Sequence, residues 1–115
     1  MQELYESIDS VLDELDAALV DTRNSGIQLA ENERTYRAEL AKEILRLRAD
    51  GMPVSIVGDV ARGNERIAEL KYLRDASEVL YKAGQEAINA NKLKLRTLNE
   101  EADRVWHSGG LGGNS

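Results

Sequence analysis

Between Asn64 and His107 the chain runs forty-four residues without a proline and with a single glycine, Gly84, and its apolar residues recur every three to four positions. A stretch of that length and period reads as one helix of about 65 Å, several times the length of an average globular helix. A compact globule has no room for such an element. It must pair along its length with another helix of the same chain or with a second chain. This pattern makes the protein all-α before any other residue is considered.

The preceding half supplies a partner arm. Leu4, Ile8, Val11, Leu12, Leu15, Ala18 and Leu19 follow the same spacing, and the pattern resumes at Ile27 and Leu29 and continues through Tyr36, Leu40, Ile44, Leu45 and Leu47. Between them Asn24-Ser25-Gly26 is a weak interruption, costing about 1 kcal/mol if the helix passes through its glycine. Gly26 is therefore either a kink or a turn, and the pattern leaves that open. The arm stops at Asp50-Gly51, where glycine suits a helix C-cap, and Pro53 suits the first turn of a short helix that Gly63 can end. The reading is a long antiparallel, coiled-coil-like hairpin with arms 3–50 and 64–107, a short helical elbow over 51–63, and a glycine-rich flexible tail over 108–115. A three-helix bundle with a turn at Gly26 would leave half of the long helix uncovered. Folding the hairpin near residue 57 sets Asp50 near Asn64 and Ser7 near His107.

An elongated two-helix chain buries little surface for its length, so self-association is expected. The long helix presents Ile67, Leu70, Leu73, Ser77, Leu80, Gly84, Ala87, Asn91, Leu95, Leu98, Ala102 and Val105 as its seam, and the middle of that seam is small. Ala83, Gly84, Ala87 and Asn91 are thus candidates for a close helix crossing in a dimer, with Asn91 setting register. The competing reading is that these small residues accommodate the other arm of the same chain. Trp106 is either a dimer anchor or a cap on the seam opposite the first turns of the first arm.

Charge and composition restrict the chemistry. The first 21 residues carry seven acids and no base, while the remaining 94 carry fourteen acids against fifteen bases. That acidity reads as a solvated helix face, matched in part by Lys92, Lys94, Arg96 and Arg104 on the other arm. With no cysteine and only His107, the chain offers no thiolate or imidazole cluster for zinc, and no metal or cofactor is expected. Neither a Ser-His-Asp set, a phosphate-binding Gly-x-x-x-x-Gly-Lys loop nor a His-Glu-x-x-His motif is present, and adjacent carboxylates such as Glu100-Glu101 point apart on a helix. A non-enzymatic protein is expected. The absence of a long apolar run and of a basic leader predicts a soluble, cytoplasmic protein.

Residues 43–67 look superficially like a helix-turn-helix, with Arg62 and Arg66 at the start of a recognition helix. The following helix is about three times too long for that role, and the acidic balance argues against DNA. A better candidate site is the elbow as a protein contact, where Met52 and Val54 stand near Arg62, Asn64 and Arg66. The competing reading is that Met52, Val54, Ile56, Val57 and Val60 close the end of the hairpin core.

Several short elements carry a resemblance: Glu33-Arg34-Thr35-Tyr36-Arg37 through Leu47-Arg48, then Gly51-Met52-Pro53-Val54, Ala61-Arg62-Gly63-Asn64 and Leu80-Tyr81-Lys82-Ala83. Over about residues 30 to 106 the chain resembles small proteins encoded in early regions of phages and prophages of Gram-positive bacteria. The resemblance implies an accessory protein acting on DNA metabolism or on a host defence system, and it carries no site residues with it. Together these readings predict an oligomer-forming interaction protein that binds a host or phage protein as an inhibitor or adaptor. The alternatives are an accessory factor for DNA recombination or replication, and a structural assembly component.

Overall fold

In a computed structural model of the protein, residues 1–114 are described, with side chains described through Ser108. They form α1 (Gln2–Ala49), α2 (Val54–Gly63) and α3 (Glu65–Asn114), with no strand among the described residues. This is the expected antiparallel hairpin with a helical elbow. α3 is described through Asn114, past the His107 boundary at which the composition predicts a flexible tail. Glycine, unlike proline, keeps the N–H that a helix bonds, so nothing in that segment forbids the continuation. Ser115 lies outside the described residues.

α1 passes through Gly26 without interruption. Gly26 is not a turn. A Cβ added there would stand 3.0 Å from the Tyr81 ring, so the missing side chain makes room for an aromatic ring from α3.

The end of α1 shows why Leu-Arg-x-x-Gly-Met-Pro turns the chain. Gly51 has φ +94°, a conformation that side chains rarely adopt. Its N–H bonds the Arg48 carbonyl at 3.0 Å, and the Met52 N–H bonds the Leu47 carbonyl at 3.0 Å, which is a Schellman cap. The expected apolar contact of that motif is present, because Met52 packs onto the Leu47, Val57 and Ala61 cluster together with Leu40 and Ile44. Arg48 Nη1 adds a hydrogen bond of 2.7 Å to the Met52 carbonyl. Pro53, extended at φ −61° and ψ 143°, then enters α2 without an N–H to satisfy.

Asn64 separates α2 from α3. Its backbone is extended, and its Oδ1 accepts hydrogen bonds from the N–H groups of Arg66 at 3.0 Å and Ile67 at 3.3 Å. That is N-capping, which satisfies two donors that a helix start leaves free. Replacing Asn64 with alanine is expected to destabilise the fold by about 0.5–2 kcal/mol in urea unfolding, and with glycine by a few tenths.

The chain packs as two units, Arg23–Lys82 and Met1–Thr22 with the residues from Ala83 onward. In the first, α2 folds onto the end of α1, so α3 meets α1 further from the turn than a simple fold near residue 57 allows. Arg66 pairs with Glu39, Arg74 with Glu33 at 2.8 Å, and Tyr81 lies on Gly26. The expected register would have set Arg66 opposite Arg48. The shift is about one heptad. In the second unit the same offset appears, with Ser7 and Leu4 sharing a shallow groove with Leu98 and Val105 rather than Ser7 lying by His107.

The seam of α3 in the first unit also differs from expectation. Leu73 and Leu80 are 43% and 65% exposed, while Arg74 and Tyr81 are partly buried in their place. The inward positions Ile67, Leu70, Arg74, Ser77 and Tyr81 alternate three and four residues apart, the 3.5-residue period of a coiled coil. Arg74 can occupy a seam position because α1 supplies Glu33 and the Tyr36 ring, whose centroid lies 5.3 Å from the guanidinium carbon. Asn32 completes this polar stretch, donating from Nδ2 to Ser77 Oγ at 2.6 Å.

Candidate functional site at the elbow

The five residues expected to bind a partner divide into two groups in the structure. Met52 is partly buried as the apolar plug of the Schellman cap, and Asn64 is occupied as the N-cap of α3. Arg66 is exposed but pairs with Glu39. These three hold the elbow in shape. Val54 and Arg62 are exposed, and Arg62 lies along its own helix, with Nη1 over Gly58 and 3.8 Å from Asp59.

α2 presents two faces of different use. Val57 and Ala61 are buried against α1, while Val54, Ile56 and Val60 are exposed. The expectation that all the apolar residues of the elbow close the hairpin core therefore holds for Met52 and Val57 only. A ten-residue helix has about three turns, and one side of it suffices to cover Leu40, Ile44 and Leu47. The remaining side is mixed: Ser55, Asp59 and Arg62 stand opposite Val57 and Ala61, and Ile56 and Val60, one turn apart, form an exposed apolar flank on a segment anchored at both ends. Ile56 and Val60 are candidate contact residues that a reading for core closure passes over; their four-residue separation on α2, out of phase with Val57 and Ala61, is the signal that marks them.

The charged groups near the elbow are mostly committed within the chain. Arg46 lies 2.6 Å from Glu43 and 3.4 Å from Asp50, and its hydrogen bond holds the Glu43 carboxyl below the usual range. Glu39 is lowered in the same way by Arg66, and Glu33 by Arg37 first and then Arg74. Glu33 thereby ties Arg74 of α3 to Arg37 of α1. These pairs are solvent-exposed or half-buried, so they select register more than they stabilise. The basic residues of the elbow, Arg46, Arg48, Arg62 and Arg66, thus each have a carboxylate or a carbonyl of the same chain as partner.

The residues expected at an oligomer crossing are placed differently. Gly84 and Asn91 face α1 of their own chain: Thr22 packs directly onto Gly84, and Asn91 is buried. A second chain has no access to them there, because two arms in register consume their own small residues first. Ala87 is partly buried and Ala83 is exposed. Trp106 is exposed and does not cap the seam at the first turns of α1. No ion pair joins the acids of residues 1–21 to Lys92, Lys94, Arg96 or Arg104 among the described residues, so the expected charge match is not made by direct contact.

No group of three or more metal-ligating side chains occurs among the described residues, and no helix among them is long and apolar enough to cross a membrane. No protein family, curated protein or solved structure matches the chain.

Proposed function

We propose that this chain is a non-enzymatic interaction protein that binds a host or phage protein, as an inhibitor or adaptor, through the outer face of α2. The observation that carries this reading is the exposure of Ile56 and Val60, one turn apart on a helix whose Val57–Ala61 face and both ends are fixed by packing, a Schellman cap and an asparagine cap, with Val54 exposed separately at its first turn. Apolar side chains held on a rigid element lose little conformational freedom on binding, which favours their use as anchors. The resemblance to phage and prophage proteins supports a bacterial cytoplasm as the place of action.

The test is affinity capture from a bacterial lysate with and without nuclease, comparing the natural chain with a Val54→Ser, Ile56→Ser, Val60→Ser triple variant. A nuclease-resistant protein should be recovered by the natural chain, and its affinity for the triple variant should fall at least about tenfold with helicity unchanged. Recovery only of nuclease-sensitive material would replace this reading with one in DNA metabolism. Equal capture by both chains would remove α2 as the contact.

A further inference from the structure

We infer that the part of the hairpin built from Met1–Thr22 and the residues from Ala83 onward opens as a unit of its own, α1 separating from α3 there while Arg23–Lys82 stays folded. The open form uncovers the α3 seam from Gly84 through Asn91 to Leu98. This device is independent of the contact proposed for α2.

Polar contacts between the two arms fall on one side of this division only. Within Arg23–Lys82, Arg66 pairs with Glu39, and Arg74 with Glu33 and the Tyr36 ring. Asn32 Nδ2 donates there to Ser77 Oγ at 2.6 Å and to the Leu73 carbonyl at 3.4 Å. In the other unit no side-chain hydrogen bond or ion pair joins α1 to α3 among the described residues. Its bonds, from Gln2 to Glu6 and from Ser7 to the Glu3 carbonyl, stay within α1.

Burial is divided in the same way. Tyr36, Leu47, Val57, Ala61 and Ile67 are buried in Arg23–Lys82, and the other unit has Val11 as its one buried apolar residue among those described. What that unit buries instead is Thr22 and Asn91, each 8% exposed. Thr22 Oγ1 and Asn91 Oδ1 have no hydrogen-bond partner among the described residues. Ser77, buried to the same extent in Arg23–Lys82, both accepts from Asn32 and donates to the Leu73 carbonyl at 2.8 Å. A buried polar atom without a partner recovers its hydrogen bonds to water when the site opens, so both atoms favour separation.

The position of these two atoms makes the opening a property of the whole unit. Thr22 stands at its inner limit, packed onto Gly84, and Asn91 follows Gly84 by seven residues, about two helical turns. The weak points thus lie next to the folded part, and separation there releases everything beyond. The released arm does not hold itself. Glu6, Asp9, Asp13 and Asp16 follow one another at three or four positions with no base before Arg23, and like charges at that spacing repel within a helix. A segment of this length without its partner arm is at best a marginal helix, so opening exposes its amides.

The experiment is native-state hydrogen exchange of the full chain at single-amide resolution. Amides of residues 8–20 and 86–100 should share a common protection at least about 30-fold below that of residues 32–45 and 68–80. Thr22→Val combined with Asn91→Leu removes both unpartnered atoms. It should raise protection across the first set about tenfold or more and leave the second set unchanged. Trypsin should make its first cuts in the natural chain at Lys92, Lys94 or Arg96, and cut the double variant there more slowly. Equal protection in the two sets would overturn the proposal, as would first cuts between Arg34 and Arg74. So would a smooth decline of protection toward the chain ends, which is terminal fraying, or a double variant whose protection does not rise.

Discussion

Ile67→Ala is expected to destabilise the protein by about 2–5 kcal/mol, a shift in urea midpoint without a change in slope. Ile67 is 1% exposed, and among the described residues it is the one large side chain below 2%. It sits where several local devices meet: its N–H is capped by Asn64, and the first contacts of α3 with α1 lie beside it at Arg66 and Glu39. A cavity there loses the transfer energy of the deleted atoms and has little mobile material nearby to fill it. Leu80→Ala, which removes a side chain of similar size from a 65% exposed position, should cost the monomer far less. Comparable losses at the two positions would mean that α3 is rotated relative to α1 from the seam described here.

The second large effect is expected at Gly84. A Cβ at this position would overlap Thr22 Oγ1 and stand 3.2 Å from Thr22 Cβ and 3.4 Å from its Cα, so rotating the hydroxyl away relieves only part of the crowding. Gly84→Leu is expected to cost about 1–3 kcal/mol or more through overpacking, against a gain of about 1 kcal/mol in helix propensity. Gly84→Ala tests the balance more finely, because the two terms are then of similar size. The Thr22 hydroxyl is buried without a hydrogen-bond partner among the described residues. Thr22→Ala alone should therefore be neutral or stabilising by about 1 kcal/mol, and it should improve the outcome of Gly84→Ala when the two are combined. Urea unfolding of the four proteins gives the coupling, expected at about 1 kcal/mol for residues in direct contact. Strict additivity would show that Thr22 and Gly84 do not touch.

These two positions show how far a reading of the residues alone can go. The scarcity of Gly and Pro between Asn64 and His107 made the long helix legible, and Gly51 followed by Pro53 made the elbow legible, because each residue type restricts the backbone whatever its neighbours are. The smallness of Gly84 was equally visible, but two readings of it were available, and they differed in which helix fills the space. In the structure Thr22 fills it, so Gly84 belongs to the hairpin itself. The elbow followed the same course. Its apolar content was plain, yet the division between Val57 and Ala61 inward and Val54, Ile56 and Val60 outward depends on which side of α2 meets Leu47.

Helix class, the two long arms, the turn at Gly51 and the amphipathic period are properties of short windows, and the sequence by itself determined them. Register, and with it the identity of the seam, was decided only by the tertiary structure. Both Leu73 and Arg74 lie within reach of a three-to-four spacing from Leu70, and hydrophobicity alone prefers the leucine. What places Arg74 inside is a carboxylate and an aromatic ring forty-one and thirty-eight residues away in Glu33 and Tyr36, and what places Tyr81 inside is the absence of a side chain at Gly26. A pattern in one helix cannot contain that information. Complementarity between α1 and α3 supplies it, and it leaves Leu73 and Leu80 on the outside.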